Sequence, residues 1–360
     1  MTTVTSTSPV ELARALADDL LRPGAEQVDR TVVPRSHLDA WARAGLLGLS
    51  GPAAYGGGGA PAHVVREVAE VLAGACGATW FVATQHETPL TSLAASSNAA
   101  LQDRLLPELC AGTTLAGVAI AQLRRPGPPA VTATRVGDRG WRFDGHVGWM
   151  TSWGICDGVL LGGMSPAGEV VHVLVPAREG EGLTASAPLQ LAAMQATVTV
   201  TLDLDGFCVS NADVVDVVDG AAWLATDAAK TANARPHAFG LQRECVRRLA
   251  ETAARRNDGT AAALAQQLAQ EGSRLRAVAY ALQDTVPAQE RIDERLAVRA
   301  ASLELVVRTA TALVAATGGS AMALSSAPQR LAREAVFQLV QAQTAAVREA
   351  TLQLWRDTGA

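Results

Sequence analysis

The sequence lacks the residues that mark several common chemistries. Its five cysteines, at 76, 110, 156, 208 and 245, never approach a Cys-x-x-Cys spacing, which excludes zinc ribbons and thioredoxin-like sites. Their odd number and wide spacing fit reduced thiols in a cytoplasmic protein. There is no excess of positive charge. The formal net charge is −5, so there is no electrostatic case for nucleic acid as a partner. Lys230 is the only lysine, and every other basic residue is arginine, a bias read as genome composition rather than a set of phosphate clamps. No apolar run reaches about 18 residues, so no membrane-spanning helix is expected. Met1 to Pro9 is rich in Thr and Ser and has neither the basic nor the apolar region of a secretory signal.

Familiar site motifs are also missing. Gly56 to Gly59 are not followed by the Gly-Lys-Ser/Thr of a phosphate loop, and no strand precedes them as in a dinucleotide fold. They are read as a tight loop between helices. His86-Glu87 lacks the second histidine of a zincin helix, and no Gly-x-Ser-x-Gly elbow occurs. No metal site is expected.

What is present is core material: 49% hydrophobic against 18% charged residues, which excludes a disordered chain. Helical periodicity covers 9–22 and is expected to end at Pro23-Gly24. Ser36 reads as the N-cap of a short helix through Trp41, closed by Gly45 and Gly48. Alanine-rich helical stretches follow at 61–76, 78–97 and 98–111. From Thr114 the pattern becomes strand-like: 115–120, a hairpin of 131–136 with 141–144, then 158–162, 169–175 and the alternating 197–204. Short strands with tight turns predict an antiparallel sheet. Four long helical stretches, 222–256, 260–285, 288–316 and 328–356, predict a helix bundle. The expected organisation is an N-terminal helical domain over 1–113, a β-domain over 114–220 and a C-terminal bundle over 221–360.

Several segments in this order carry a family resemblance. Gly45-Leu46-Leu47 followed by Pro52-Ala53-Ala54-Tyr55-Gly56-Gly57 resembles the N-terminal signature of the acyl-CoA dehydrogenases. Leu105-Leu106-Pro107-Glu108-Leu109 with Gly112 is similar to that family's lead-in to its β-domain. Ala133-Thr134, Trp141, Asp144-Gly145, Trp149 to Ser152 and Asp157 resemble the next block, and Gly318-Gly319-Ser320 with Pro328, Arg330 and Arg333 a late one. The resemblance implies a mainly α fold with a central antiparallel, barrel-like β-domain and a C-terminal four-helix bundle. It also implies FAD between the β-domain and the bundle, and assembly as a homodimer or homotetramer. By the same resemblance, Trp149, Met150, Thr151 and Ser152 would sit beside the flavin ring, with Thr151 donating toward it. Ala121, Gln122, Arg256, Gly318, Gly319 and Gln343 would be further cofactor-binding positions.

The chain departs from that pattern where chemistry is expected. Gln341 stands at the usual position of the proton-abstracting glutamate, and an amide cannot take a proton at neutral pH. Some relatives carry the base just before an arginine on the first bundle helix; here that stretch reads Asn233-Ala234-Arg235. A base would have to come from elsewhere, with His86 and Glu87 as candidates. The usual Thr-Glu before the Gly-Ser-Asp loop is replaced by Ala121-Gln122 and then Leu123-Arg124-Arg125-Pro126, read as a stiff, solvated loop. Arg255-Arg256-Asn257-Asp258-Gly259 keeps the family's arginine and loses its aromatic residue.

Three functions fit these features. The first is a flavin-dependent oxidoreductase acting on a specialised acyl or carrier-linked substrate. The second is a two-component monooxygenase that takes reduced FMN or FAD from a separate reductase and uses O₂; it needs no α-proton base. The third is a flavin-free cyclase or lyase, or a pseudoenzyme, on the same fold.

Overall fold

The computed structural model describes residues 7–358. Helix α1 (Pro9–Leu16) opens with a capping box. Glu11 N–H donates to the Ser8 hydroxyl, and the Ser8 N–H donates back to the Glu11 carboxylate at 2.9 Å. The stop expected at Pro23-Gly24 does not occur. A π-helical turn, Ala17–Leu21, widens the coil, and α2 (Arg22–Asp29) restarts with Pro23 in its first turn, where a missing N–H is no loss. Helix α3 (Arg35–Arg43) begins one residue before Ser36, with Pro34 rather than Ser36 at the N-cap. Helices α4 (Ala62–Ala75), α5 (Gly77–Ala94) and α6 (Ala99–Ala111) follow. The glycine run between α3 and α4 is a tight loop folded against residues 48–51. Gly58 N–H donates to Gly48 O and Gly59 N–H to Gly51 O, both at 2.9 Å. A Cβ on Gly58 would lie 2.8 Å from Leu49 O, too close for any other residue.

The sheet contains β1 (Ala116–Ala119), β2 (Val131–Val136), β3 (Gly140–Met150), β4 (Gly158–Met164), β5 (Glu169–Pro176), β6 (Leu183–Ala185), β7 (Val200–Ser210) and β8 (Val214–Asp219). Its order is β6-β7-β3-β2-β4-β5-β8, with β1 beside β4. It is mixed rather than purely antiparallel. The β2–β3 and β4–β5 hairpins pair as expected, but β1 and β2 both run parallel to β4. The β2–β3 hairpin lies between β1 and β4 in sequence and supplies a crossover long enough for parallel pairing. Register shifts at Phe143/Gly145 and Val147/Met150 bend β3 near its end. Such bulges re-aim the side chains that follow.

The C-terminal helices are α7 (Gly220–Ala232), α8 (Pro236–Arg256), α9 (Gly259–Thr285), α10 (Ile292–Thr317), α11 (Ala327–Gln338) and α12 (Ala345–Thr358). Two stretches expected to be continuous helices are broken, at 233–235 and at 339–344. The first break has a local cause: Arg235 precedes Pro236 and is extended, with φ −99° and ψ 140°. In the second, Ala342 takes a positive φ of 47°. Helix α10 is long and apolar enough to cross a membrane. It nevertheless carries the buried Arg295 and Arg299 and packs against α8, α9, α11 and α12, the setting of a core helix.

Buried ion pairs join the N-terminal helices to the bundle. Glu70 on α4 accepts from Arg276 Nε at 2.7 Å and from the Tyr280 hydroxyl, both on α9. Asp29 on α2 pairs with Arg333, and Glu26 with Arg330 at 3.3 Å. Arg330 and Glu334, both fully buried, pair at 2.7 Å. Helices α4 and α8 cross without side chains between them, because a Cβ on Gly74 would lie 2.6 Å from Gly240 O and one on Gly240 would strike Glu70 O. Gly240→Ala should therefore force the helices apart and lower the unfolding free energy by about 1–3 kcal/mol. Urea unfolding measures this, and an unchanged midpoint would contradict the close crossing.

Candidate active site between sheet and bundle

A cavity of about 1350 Å³ opens where the sheet, α5 and the two helix breaks meet. Its walls are the end of β3, the 3-10 turn Ala121–Arg124 after β1, one face of α5, the α7–α8 break and the α11–α12 break. Both irregularities that split the bundle helices thus lie on this cavity.

The end of β3 divides its residues between cavity and core. Trp149 is 48% exposed and faces the cavity, and the buried Thr151 also lines it, with its hydroxyl 3.2 Å from the Thr199 hydroxyl. Met150 is fully buried in the core. Ser152 is buried with φ 71°, and its hydroxyl donates to Thr151 O. Of the four adjacent positions expected at a cofactor, only Trp149 and Thr151 meet the cavity. Ala121 lines it, whereas Gln122 does not. Gln122 Nε2 donates to Ala119 O at 2.9 Å and Gly162 O at 2.8 Å, tying β1 to β4. The loop that follows is solvated from Arg125 to Pro129, as expected, but Arg124 turns out of it. Arg124 makes a bidentate pair with Asp227 of α7 at 2.7 and 2.8 Å, and Arg125 lies over Gly148, beside Trp149.

His86 and Glu87 are neighbours in sequence but serve different surroundings. His86 is 1% exposed and outside the cavity wall. Its Nδ1 accepts from Ala116 N–H at 3.1 Å, so Nε2 carries the hydrogen and donates to Leu109 O at 2.9 Å. Both nitrogens are used to clamp α6 to β1, and none is left for a substrate proton. His86 is a structural residue. Glu87 lies on the wall and is the only carboxylate there among the described residues. It is open to solvent through the cavity, yet the protein crowded around it pushes its carboxyl pKa up, opposed by the charge of Arg235.

Gln341 and Gln343 line the second break. Gln341 Oε1 is buried without a partner, and Gln343 Nε2 donates to Leu339 O at 2.8 Å. Arg256, Gly318 and Gly319 lie outside the cavity wall. Arg256 donates to Ala316 O and Thr317 O at 2.7 and 2.6 Å, closing the end of α10 next to Gly318, whose φ is 76°. In this chain the three form a helix cap.

Sequence reasoning missed three residues at the first break. His237 is 5% exposed, lines the cavity and packs against Trp80 with ring centroids 4.3 Å apart. Burial, helped by the charges of Arg235 and Arg299, holds its pKa well below the usual value, so it is a neutral imidazole at pH 7. Arg299 on α10 is 2% exposed and reaches both breaks. It donates to Thr231 O at the end of α7, and to Gln341 O at 3.0 Å and Ala342 O at 3.3 Å. Burial and the nearby Arg235 and Arg124 push its pKa down to about 9. Arg235 lines the cavity itself. Only Pro236 signalled this break from the sequence; the packing of His237 and Arg299 is long-range.

The wall carries seven cations, Arg66, Arg124, Arg125, Lys230, Arg235, Arg333 and Arg348, against Glu87. Arg66, Arg124 and Arg333 are paired with Asp284, Asp227 and Asp29. The remaining four leave the cavity strongly positive.

Two outcomes follow for the histidines. His86→Leu removes the acceptor of the buried Ala116 N–H and leaves Leu109 O with Gly112 N–H alone, and should cost about 1–3 kcal/mol in denaturant unfolding; a neutral substitution would refute the clamp. His237 is neutral when folded and takes a proton when unfolded as pH falls through about 6.5. Its contribution is complete above that pH and is lost progressively as the pH falls below it, at up to about 1.4 kcal/mol per pH unit. Stability measured across that range should fall less steeply in His237→Asn than in the native protein, and parallel curves would count against a buried neutral imidazole.

Comparison with known proteins agrees with this architecture. Residues 7–113 match the family model of the acyl-CoA dehydrogenase N-terminal domain. No curated protein matches the sequence. Among solved structures, butyryl-CoA dehydrogenase from Megasphaera elsdenii superposes with a TM-score of 0.81 at 15% identity, covering 96% of this chain and 97% of that one. Glutaryl-coenzyme A dehydrogenase in complex with glutaryl-CoA gives 0.81 at 18% identity, covering 94% and 91%. Dibenzothiophene monooxygenase from Paenibacillus sp. A11-2 gives 0.78 at 17%, covering 97% of each chain. Residues 7–113 thus carry an acyl-CoA dehydrogenase N-terminal domain, and the chain as a whole has the fold of these dehydrogenase and monooxygenase structures.

Proposed function

We propose that the protein is a flavin-dependent oxidoreductase acting on a specialised acyl or carrier-linked substrate, with the cavity as its active site. The observation that carries this reading is the wall itself: an exposed indole and a threonine at the strand end, facing a positively charged chamber at the two helix breaks. At about 1350 Å³ the cavity exceeds the roughly 300–1,000 Å³ of a pocket for one small molecule, which leaves room for a cofactor ring and a substrate together. The lining fits a flavin. Trp149 offers a flat apolar face, Thr151 a hydroxyl, Arg125 a cation for a phosphate, and the unpartnered Gln341 Oε1 an acceptor for a donor brought by the ligand. An FMN-bound form of the Paenibacillus enzyme shares the fold, with a TM-score of 0.79 at 16% identity.

A bound flavin would supply the electron acceptor or, when reduced, the donor. The protein's own contribution is positioning and proton transfer. Gln341 and Ala234 stand on the wall where relatives are expected to carry a carboxylate, and neither can take a proton. Glu87, its carboxyl pKa raised by the protein crowded around it, is the carboxylate left for that role. The exposed Met322 and Leu324, beside the end of α10, favour assembly as a homodimer or homotetramer.

The same two substitutions favour a second reading, a two-component monooxygenase fed reduced flavin by a reductase, because oxygenation requires no acceptor for an α-proton. The two readings part experimentally. Purified protein mixed with FAD or FMN should retain flavin absorbance through gel filtration; a colourless protein would contradict the first reading, and one that also takes up no reduced flavin under anaerobic conditions would contradict both and leave a flavin-free cyclase, lyase or pseudoenzyme. Gln341→Glu restores a carboxylate facing the cavity and should create dye-linked acyl-CoA oxidation. A flavin-loaded variant with no such activity, together with turnover that needs reduced flavin and O₂, would replace the first reading by the second.

A further inference from the structure

The cations of the cavity are not evenly compensated. Around the α7–α8 junction lie four guanidinium groups, Arg124, Arg235, Arg299 and Arg295, the last bonded to Asn233 Oδ1 and to main-chain carbonyls, and two carboxylates, Asp227 and Glu87. Asp227 is fully committed to Arg124 through two hydrogen bonds. Arg299 is committed to three main-chain carbonyls, which are neutral. Arg235 alone has no partner. Among the described residues it makes no ion pair and no side-chain hydrogen bond, its Nε is buried and unsatisfied, and its guanidinium borders the cavity. Asp227 and Glu87 act on it only through space.

A half-buried guanidinium whose inner N–H has no acceptor is costly, because its lost hydration is not replaced. Three further features make the same spot favourable for negative charge. Arg235 is the N-cap of the 21-residue α8, and no side chain caps that helix, so the positive end of its dipole faces the junction. Lys230, one turn back on α7, borders the cavity with no ion pair among the described residues. His237, two residues on, is 95% buried, has no hydrogen-bond partner among the described residues and also lines the cavity. Neutral main-chain carbonyls hold Arg299 rigidly behind Arg235, so the charge cannot swing away to solvent.

We propose that the α7–α8 junction is an oxyanion-binding subsite in which Arg235, reinforced by Lys230 and the fixed charge of Arg299, takes a carboxylate or phosphate carried by the substrate. The inference rests on reading the cavity as a substrate-binding active site and narrows the substrate class to one with an acidic group near the reacting end. The planar fork of Arg235 suits bidentate contact with either oxyanion. Glu87, the facing carboxylate, would then meet the part of the substrate that loses a proton while the acid is held opposite. The arrangement also selects against uncharged substrates, which would cover Arg235 and leave it unpaired.

Calorimetric titration of the flavin-loaded full chain with inorganic phosphate, and separately with malonate, tests this. At least one anion should bind once per chain. Arg235→Gln should weaken that binding about tenfold or more, Arg235→Lys should keep part of it, and Lys230→Gln should weaken it about threefold. The flavin absorbance should be unchanged in all of them. Equal affinity in native protein and Arg235→Gln, or no anion binding by the native protein, overturns the subsite. Competition between the anion and added FMN would assign the charge to the cofactor's own phosphate and overturn its assignment to the substrate. If the protein takes up no flavin, the proposed function falls, while the same titrations on flavin-free protein still read the subsite. If Arg235→Gln does not fold, Arg235→Lys and Lys230→Gln carry the test.

Discussion

The Arg299 guanidinium ties the two breaks of the helix bundle together. From its buried place on α10 it donates to Thr231 O before the first break and to Gln341 O and Ala342 O within the second. Without it, four helix ends would meet around a chamber with unsatisfied carbonyls, an arrangement that buried backbone does not tolerate. Desolvation and two neighbouring arginines push its pKa down to about 9, which still leaves it charged at neutral pH. The brace therefore does two things: it fixes the geometry of the cavity wall and adds a permanent positive charge behind it.

That dual role explains why the site is irregular where the rest of the bundle is regular. A continuous helix through 233–235 or 339–344 would fill the space with side chains and satisfy its own carbonyls. The breaks open the chamber and expose Arg235, His237 and Gln341 to it. On the opposite wall, bulges in β3 turn Trp149 and Thr151 toward the same space. The ion pairs of Glu70, Asp29 and Arg330 hold the N-terminal helices, and with them Glu87, against the bundle. The cavity's shape is thus set by buried polar contacts between layers, and these are directional in a way that apolar packing is not.

Much of the fold was legible in the sequence. The strand alternation at 197–204, the hairpin around Gly137 to Gly140 and the ordered signature segments all point to the observed α, β, α arrangement. The misreadings have physical causes. Pro23-Gly24 looks like a stop, but a π-turn shifts Pro23 into a first helical turn. Pro236 was a readable break overlooked inside a long periodic stretch. His86 and Glu87 follow each other on a helix and point about 100° apart, so one clamps α6 to β1 while the other reaches the cavity. No local pattern shows which does which. The pairing of Arg124 with Asp227 spans 103 residues and that of Arg299 with Thr231 spans 68, and one sequence carries no trace of either.

The central claim is that this chamber, with Trp149 and Thr151 on one wall and the two helix breaks on the other, receives a flavin. A crystal structure of the protein soaked with FMN tests it most directly. The account requires a tricyclic ring against Trp149 and Thr151, with Gln341 on the same cavity. Flavin bound elsewhere, or a cavity that holds none at saturating concentration, would contradict it.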